Sequence, residues 1–131
     1  MIGMRRIYTI AEGIGALRPG SSWALRENDY SQLEWYGQDT APALEEIQTK
    51  IIELEADEPM RVVREIRDWY LKDCDWTQVQ DLRALRGAEW CNTWDNYRQL
   101  LRDLPDSGIS PYFNDMNMIQ GVTWPLRPDL K

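Results

Sequence analysis

The stretch from Ala43 to Asp57 constrains the fold more than any other feature, because it contains no helix breaker and its apolar residues recur with helical spacing. Pro42 suits the first turn of such a helix, and Asp39 or Thr40 can cap it. The apolar positions are three, four and three residues apart: Leu44, Ile47, Ile51 and Leu54. This spacing fits the core stripe of an ordinary amphipathic helix and equally the seam of a homotypic coiled coil. Both packings stay open at this point.

Pro59 interrupts the pattern, so we expect the first helix to end near Asp57 or to kink there. From Met60 to Leu71, arginines recur every three residues among apolar residues, which predicts a second amphipathic helix. Six carboxylates lie between Glu45 and Glu58. The arginines can therefore pair with the acidic helix if the two helices pack antiparallel, although exposed pairs contribute less than about 1 kcal/mol each.

A further helix is predicted from Glu89 to Leu104, where Pro105 closes it. One face of this helix carries residues at spacings of four, three and four: Trp90, Trp94, Tyr97 and Leu101. The opposite face is expected to be polar and to include Arg98 and Arg102. From Asp106 to Lys131 no period persists, so this segment is predicted to be an extended arm.

Short strands are expected before the helices. Arg6 to Ala11 is a β-rich run that Glu12 to Gly15 should end as a turn. Ser22 to Arg26 and Tyr30 to Tyr36 predict a hairpin around Glu27 to Asp29. The chain is thus expected to be an α+β protein with a small N-terminal β-hairpin or short-strand region, two or three helices and an extended C-terminal arm.

This pattern divides the chain into three regions. Residues 1–40 form the short-strand region and residues 41–58 the acidic amphipathic helix. Residues 59–131 form a helical hairpin module with the extended arm.

The composition excludes several classes of function. The chain has no histidine, which removes serine and cysteine nucleophiles activated by imidazole as well as the common zinc sites. A formal net charge of −7 without a basic run disfavours nucleic acid, and no apolar run approaches the roughly 20 residues that span a bilayer. Cys74 and Cys91 lack metal-site spacing and are expected to be buried or unreactive thiols. The sequence also permits a disulfide bond between them. We therefore expect no enzyme, no cofactor and no metal.

The aromatic residues favour protein binding instead. Seven Trp and six Tyr stand against one Phe, and rings with a polar edge suit interfaces that are partly wet. Packing within the core is the competing interpretation of the same rings. The candidate protein-binding residues are Trp23, Tyr30, Trp35, Tyr36, Trp76, Trp90, Trp94, Tyr97 and Trp124.

Four sequence elements occur in a fixed order from Arg67 to Pro128. They are Arg67-Asp68 with Leu71, then Asp75-Trp76-Thr77-Gln78, then Trp94-x-x-Tyr97-Arg98-Gln99-x-Leu101-Arg102-Asp103-Leu104-Pro105, and Val122-Thr123-Trp124-Pro125-x-x-Pro128. In this order and spacing they resemble the C-terminal module of phage tail-fibre assembly chaperones. Upstream, Leu17-Arg18-Pro19-Gly20 and Asp29-Tyr30-Ser31-x-Leu33-Glu34-Trp35 look like the part often joined to that module.

Two segments depart from the family. Val79 to Gly87 replaces a loop that usually carries proline and is expected to add a helical turn, and Asp106 to Gln120 is longer than usual. The Asp75 to Gln78 corner is expected to connect helices, with Trp76 packed on Trp69 or Leu71.

The resemblance implies a chaperone that binds a phage tail-fibre protein in the host cytoplasm and aids its folding or trimerisation without nucleotide or metal. The alternative is a structural component of the fibre or baseplate that remains in the virion tail.

Overall fold

A computed structural model describes residues 2–129. The chain divides into two compact units, one from Arg6 to Glu58 and the other from the segment up to Arg5 together with everything from Pro59 onward. Each unit is described by itself below. Within residues 2–129 the architecture is α+β, with four α-helices and two small antiparallel strand pairs, as the sequence predicts.

The first unit begins with a helix where a strand and a turn were predicted. Helix α1 spans Ile10–Leu17, so the strand prediction for Arg6 to Ala11 and the turn prediction for Glu12 to Gly15 were wrong. Thr9 starts this helix, and its backbone N–H donates to the Glu12 carboxylate at 2.8 Å. Its hydroxyl donates to the same group, and these hydrogen bonds lower the pKa of Glu12. This capping arrangement outweighs the β propensity of the preceding residues.

The predicted hairpin of the first unit is present, with shorter strands. Strand β1, Trp23–Ala24, pairs antiparallel with β2, Glu34–Trp35, and Trp23 lies opposite Trp35. A short 3₁₀ helix, Tyr30–Gln32, fills the rest of the predicted second strand. Asp29 caps it by accepting from the Ser31 N–H at 3.0 Å.

Helix α2 spans Leu44–Asp73 as one element of 30 residues with Pro59 inside it. The expected end of the helix near Asp57 was therefore wrong. Pairing of the arginines with an antiparallel acidic helix does not arise, because the acidic and the basic stretches are successive turns of the same helix. Proline removes one backbone donor from the helix interior, which a helix with enough surrounding contacts tolerates.

In the second unit, a 3₁₀ corner at Asp75–Gln78 follows α2, and α3, Gln80–Arg86, comes next. The helical turn expected after Gln78 is thus confirmed. Gly87, at φ +91°, allows the sharp change of direction into α4, Ala88–Asp103. Helix α4 confirms the third predicted helix within one residue at each end, and a 3₁₀ turn at Leu104–Asp106 follows it.

The C-terminal segment contains a hairpin that the sequence analysis missed. Strand β3, Tyr112–Phe113, pairs antiparallel with β4, Ile119–Gln120. The Asn114 side chain orders the intervening turn, because its Oδ1 accepts from the N–H groups of Met116 and Met118 at 2.9 and 3.0 Å. From residue 122 to residue 127 the chain forms neither helix nor strand, and residues 128 and 129 form a turn.

Within residues 2–129, no helix has the length and apolar character that crossing a membrane requires.

Candidate functional site

Aromatic side chains from four segments of the second unit meet in one cluster. The ring of Trp94 lies 5.3 Å from Trp76, 6.2 Å from Trp90 and 5.9 Å from Tyr97, centroid to centroid. Tyr70 contacts Trp124 at 5.2 Å and Trp69 at 5.5 Å. We call these seven residues the aromatic cluster: Trp69, Tyr70, Trp76, Trp90, Trp94, Tyr97 and Trp124. Edge-to-face pairs at these separations stabilise beyond their buried area, so the cluster is a rigid feature of the unit.

The cluster has a buried base and an exposed rim. Trp94 and Tyr97 are buried against Cys74 and Leu101, and burial raises the pKa of the Tyr97 hydroxyl. Trp69 and Trp76 remain 45% and 44% exposed, which is unusual for indole rings that belong to a core. Tyr70, Trp90 and Trp124 are half-buried. The rim therefore offers large apolar surface on a fixed support.

The 3₁₀ corner Asp75–Gln78 sets the position of Trp76. Thr77 is fully buried, and its hydroxyl donates to the Cys74 carbonyl oxygen at 2.7 Å. Among the described residues, the rings that Trp76 contacts are those of Trp90 and Trp94 rather than Trp69, because the corner turns the chain towards α4. Packing of Trp76 on Leu71, the other expectation, stays a prediction.

Arg98 lies in the core below the cluster, so its assignment to an outer polar face was wrong. Only 8% of the residue is exposed. Its guanidinium donates to the Leu71 carbonyl at 2.9 Å and to Asp75 Oδ1 at 3.1 Å, and lies 3.1 Å from Cys74 Sγ. The Leu71 carbonyl also accepts from the Cys74 N–H at 3.2 Å, so Arg98 adds a charged donor to it and fixes α4 against the corner.

Arg83 and Asp95 join α3 to α4. The Arg83 guanidinium forms a bidentate salt bridge with the Asp95 carboxylate, with N–O distances of 2.8 and 3.0 Å. Hydrogen bonding from Arg83 lowers the pKa of Asp95, and the contact from Gln78 acts in the same direction. The corner, α3 and α4 are thereby held as one support for Trp76 and Trp90.

The irregular segment of residues 122–129, which we call the strap, lies against the cluster. Trp124 contacts Tyr70, and Arg127 donates to the Asp73 carboxylate at 2.7 Å. The Arg127 guanidinium also lies 5.6 Å from the centre of the Trp94 ring, a cation–π distance. Trp124 and Arg127 thus hold the strap onto the helices.

The N-terminal candidate residues belong to the first unit, whereas the aromatic cluster belongs to the second. Within the first unit, Trp35 donates from Nε1 to the Asp39 carbonyl at 2.7 Å, and the Tyr30 hydroxyl donates to the Pro42 carbonyl at 2.8 Å. Trp23 is half-buried opposite Trp35. Tyr36 is 60% exposed, and its hydroxyl bonds to Glu34, which raises its pKa. The Trp35 side chain therefore stabilises the loop that follows it, whereas the ring of Tyr36 is exposed to solvent.

Sequence reasoning missed Trp69 as a candidate, because it placed this residue on the apolar side of its helix with Tyr70. The available signal was the adjacent pair itself: neighbouring positions on a helix point about 100° apart, so two successive large rings cannot both face one narrow stripe.

The stripe of α2 packs inside the first unit. Ile47 is fully buried, and a Cβ atom added to Gly13 of α1 would lie 2.8 Å from Ile47 Cγ2 and 3.3 Å from Ile51 Cγ1. Glycine at position 13 thus allows α1 to approach α2 closely. This observation favours the core-stripe interpretation over the coiled coil at these two positions.

Cys74 and Cys91 are both buried and both free thiols. Among the described residues, no group of three or more Cys, Asp or Glu side chains has a geometry that could hold a metal ion.

Comparison with protein families gives a match to the phage tail assembly chaperone protein family over residues 60–129. This match covers more than half of the chain. The chain belongs to the phage tail assembly chaperone family. The resemblance drawn from the motif is thereby confirmed at the level of the family. Neither the comparison with curated proteins nor that with solved structures gave a match.

The matched residues of this tail assembly chaperone contain the complete aromatic cluster and the strap, from Trp69 to Asp129. Family membership implies a non-enzymatic role in phage tail assembly in the host cytoplasm. The aromatic cluster is accordingly the candidate functional site of the chaperone.

Proposed function

We propose that this tail assembly chaperone binds a tail-fibre polypeptide and shields its apolar surface while the fibre folds or trimerises. The observation that carries the proposal is the coincidence of the family match with the aromatic cluster, whose two rim tryptophans are almost half exposed. Trp and Tyr are the residue types that most often dominate binding energy in protein interfaces.

The support beneath the rim fits this role. A binding surface gains affinity when its large side chains are held in place before the partner arrives, because less freedom is then lost on association. Trp76 is held by two ring contacts and by a corner that Thr77 and Arg98 fix. A preorganised aromatic surface of this kind suits reversible capture of unfolded or partly folded chains.

Co-expression of the tail-fibre protein with the chaperone tests the proposal. Soluble, trimeric fibre should increase when the wild-type chaperone is present. The variant Trp69→Ala or Trp76→Ala should lose most of this increase and weaken binding of purified fibre protein roughly 30-fold, the effect of a hot-spot side chain of about 2 kcal/mol.

Leu100→Ala is the matched control, because Leu100 is a large apolar residue of the same module that is 58% exposed and lies outside the cluster. Near-ultraviolet circular dichroism should verify that all variants fold. Equal loss for Leu100→Ala and Trp76→Ala, or no gain of soluble fibre with the wild type, would contradict the proposal.

Mass spectrometry of purified particles separates a departing chaperone from a structural component of the fibre or baseplate. The proposal requires that the protein be absent from finished virions. A fixed stoichiometry in the tail would instead establish the structural alternative.

A further inference from the structure

The strap, Val122–Asp129, is held to its unit by side chains alone. Within residues 2–129, no backbone-to-backbone hydrogen bond connects the strap to another segment. Two of its residues, Pro125 and Pro128, have no backbone donor to offer. Its attachments are the ring contact of Trp124 and the contacts of Arg127 with Asp73 and Trp94. A segment attached in this way can leave without breaking secondary structure.

The strap lies between two grooves that involve the aromatic cluster. One groove, of about 350 Å³, is formed by Tyr70, Tyr97 and strap residues around Trp124. The other, of about 460 Å³, is formed by Trp90, Trp94 and the end of the strap at Pro128. Departure of the strap would remove one wall from each groove and would take the Arg127 guanidinium away from the ring face of Trp94.

The charges under the strap define which segment fits there. The Asp73 carboxylate and the ring face of Trp94 together accept one guanidinium, which Arg127 supplies at 2.7 Å from the carboxylate and 5.6 Å from the ring centre. Aromatic walls on both sides suit proline, as in other grooves that bind extended proline-containing peptides. The site is therefore complementary to an extended chain with an arginine between prolines or aromatic residues.

We propose that the strap occupies the groove in which the partner binds, and that an extended partner segment carrying arginine and proline displaces it. This inference rests on the proposed function, since it names the kind of fibre segment that the chaperone recognises. The strap then competes with the partner as a tethered ligand, at the millimolar effective concentration typical of short flexible connections.

A synthetic peptide with the sequence of residues 122–129 serves as the probe. Fluorescence anisotropy should measure its affinity for the wild-type chain and for the full-length variant Trp124→Ala/Arg127→Ala, whose strap has lost both anchors. We expect the peptide to bind the variant at least tenfold more tightly than the wild type, because its competitor is weakened. The control Arg64→Ala removes an exposed arginine of the same unit and should leave the affinity at the wild-type value.

Equal affinity for wild type and double variant, or no binding to a folded double variant, would overturn the inference. The same conclusion follows if Arg64→Ala tightens binding as much as the double variant, because the effect would then be one of net charge.

A charge exchange keeps the inference testable if the double variant does not fold. Asp73→Lys changes a half-buried position in the last turn of α2 and should reject the natural peptide. A peptide with glutamate in place of its arginine should bind Asp73→Lys at least tenfold more tightly than it binds the wild type. Indifference of both peptides to the charge at position 73 would contradict the proposed groove.

The two proposals fail separately. If the peptide experiments fail while wild-type chaperone still solubilises the fibre protein, only the displacement of the strap is wrong. If the peptide binds as expected but the wild type never binds fibre protein, the groove is real and the fibre is not its partner.

Discussion

Arg98 is a charged residue in the core, and three groups near the end of α2 account for its position. The Leu71 carbonyl, the Asp75 carboxylate and the Cys74 sulfur all lie within 3.1 Å of its terminal nitrogens. Burial of a guanidinium is unfavourable unless such partners are present, so the residue and its partners act as one unit.

We expect Arg98→Ala to reduce the free energy of unfolding by about 2–4 kcal/mol, because it removes a buried side chain together with its hydrogen bonds to the Leu71 carbonyl and Asp75. Arg98→Lys should recover only part of this loss, since one ammonium cannot reach all three partners. Urea denaturation measures both effects. Arg102→Ala, one turn later and exposed, should change the stability by less than about 0.5 kcal/mol. A similar loss for the Arg102 variant would show that helix composition, not the buried contacts, is responsible.

The sequence contained the signal for the buried arginine. Positions 94, 97, 98 and 101 are spaced as one helix face, with offsets of three, four and seven residues. Arg98 thus belongs to the apolar stripe by position, and its charge led to the wrong assignment. Its partners are 23 to 27 residues away in the chain, and local pattern does not reveal which carbonyls they are.

At the level of elements, the two glycines of α1 have opposite roles. A Cβ at position 13 would lie 2.8 Å from Ile47 Cγ2, whereas a Cβ at position 15 would meet nothing within 4 Å. Gly13 is therefore required by the packing of α1 on α2, and Gly15 only lowers helix propensity.

We expect Gly13→Ala to destabilise the first unit by about 1–3 kcal/mol, the usual effect of adding a methyl group to a filled contact. Gly15→Ala should instead stabilise it by up to about 1 kcal/mol, because alanine favours the helix and restricts the unfolded chain. Thermal unfolding followed by far-ultraviolet circular dichroism compares the two variants. Equal shifts in the same direction would mean that the close contact with Ile47 does not control stability.

The ion pair between α3 and α4 should make stability depend on acidity. Arg83 lowers the pKa of Asp95 in the folded chain, so the pair stabilises fully above the ordinary pKa of a carboxyl group, near about 4. The stabilisation is lost as the pH falls through the lowered pKa of the folded state. Because the Asp95 side chain is 43% exposed, the effect should be modest.

Urea unfolding of Asp95→Asn should show a lower midpoint than the wild type at pH 7, and the two midpoints should converge as the pH falls below about 4. Asp115→Asn, on an exposed turn, should match the wild type across the same range. A constant difference between Asp95→Asn and wild type at every pH would exclude the ion pair as its origin.

Helices with long apolar periods could be predicted from the sequence, and short or interrupted elements could not. Helix α4 agrees with its prediction because Trp94, Tyr97 and Leu101 repeat with one period. Helix α1 is only 8 residues long and depends on the Thr9 cap and on its contact with α2. The β3–β4 hairpin is ordered by the side chain of Asn114, a local hydrogen-bonding choice that leaves no periodic pattern.

At the scale of the whole molecule, the apolar stripe of α2 decides between two states. The stripe either packs within the core of a monomer or forms the seam of a homotypic coiled coil. Ile47 is fully buried inside its own unit, so a second copy could reach it only after α1 moved away. We therefore expect sedimentation equilibrium to give a monomer at micromolar concentration, close to 15.5 kDa. A stable dimer that Ile51→Asp abolishes would restore the coiled coil.

The family and a binding role could be predicted from the sequence, but which residues form the exposed part of the site could not. The ordered motif from Arg67 to Pro128 led to the family, and the excess of Trp and Tyr led to a binding role. Which rings are available is a tertiary property: Trp76 and Trp94 are both aromatic members of the motif, yet one is 44% exposed and the other 3%. Only the folded arrangement of corner, helix and strap separates them.

The contacts of the strap also imply an order of folding. Arg83 and Asp95 are 12 residues apart, whereas Arg127 closes a loop of 54 residues to reach Asp73. Short loops close sooner than long ones, and the strap emerges from the ribosome after the helices that it covers. A newly synthesised copy therefore passes through a stage in which α4 is formed and the tryptophan groove is still vacant. On the proposed displacement, a partner segment binds most readily at this early stage, before the strap has closed over the groove.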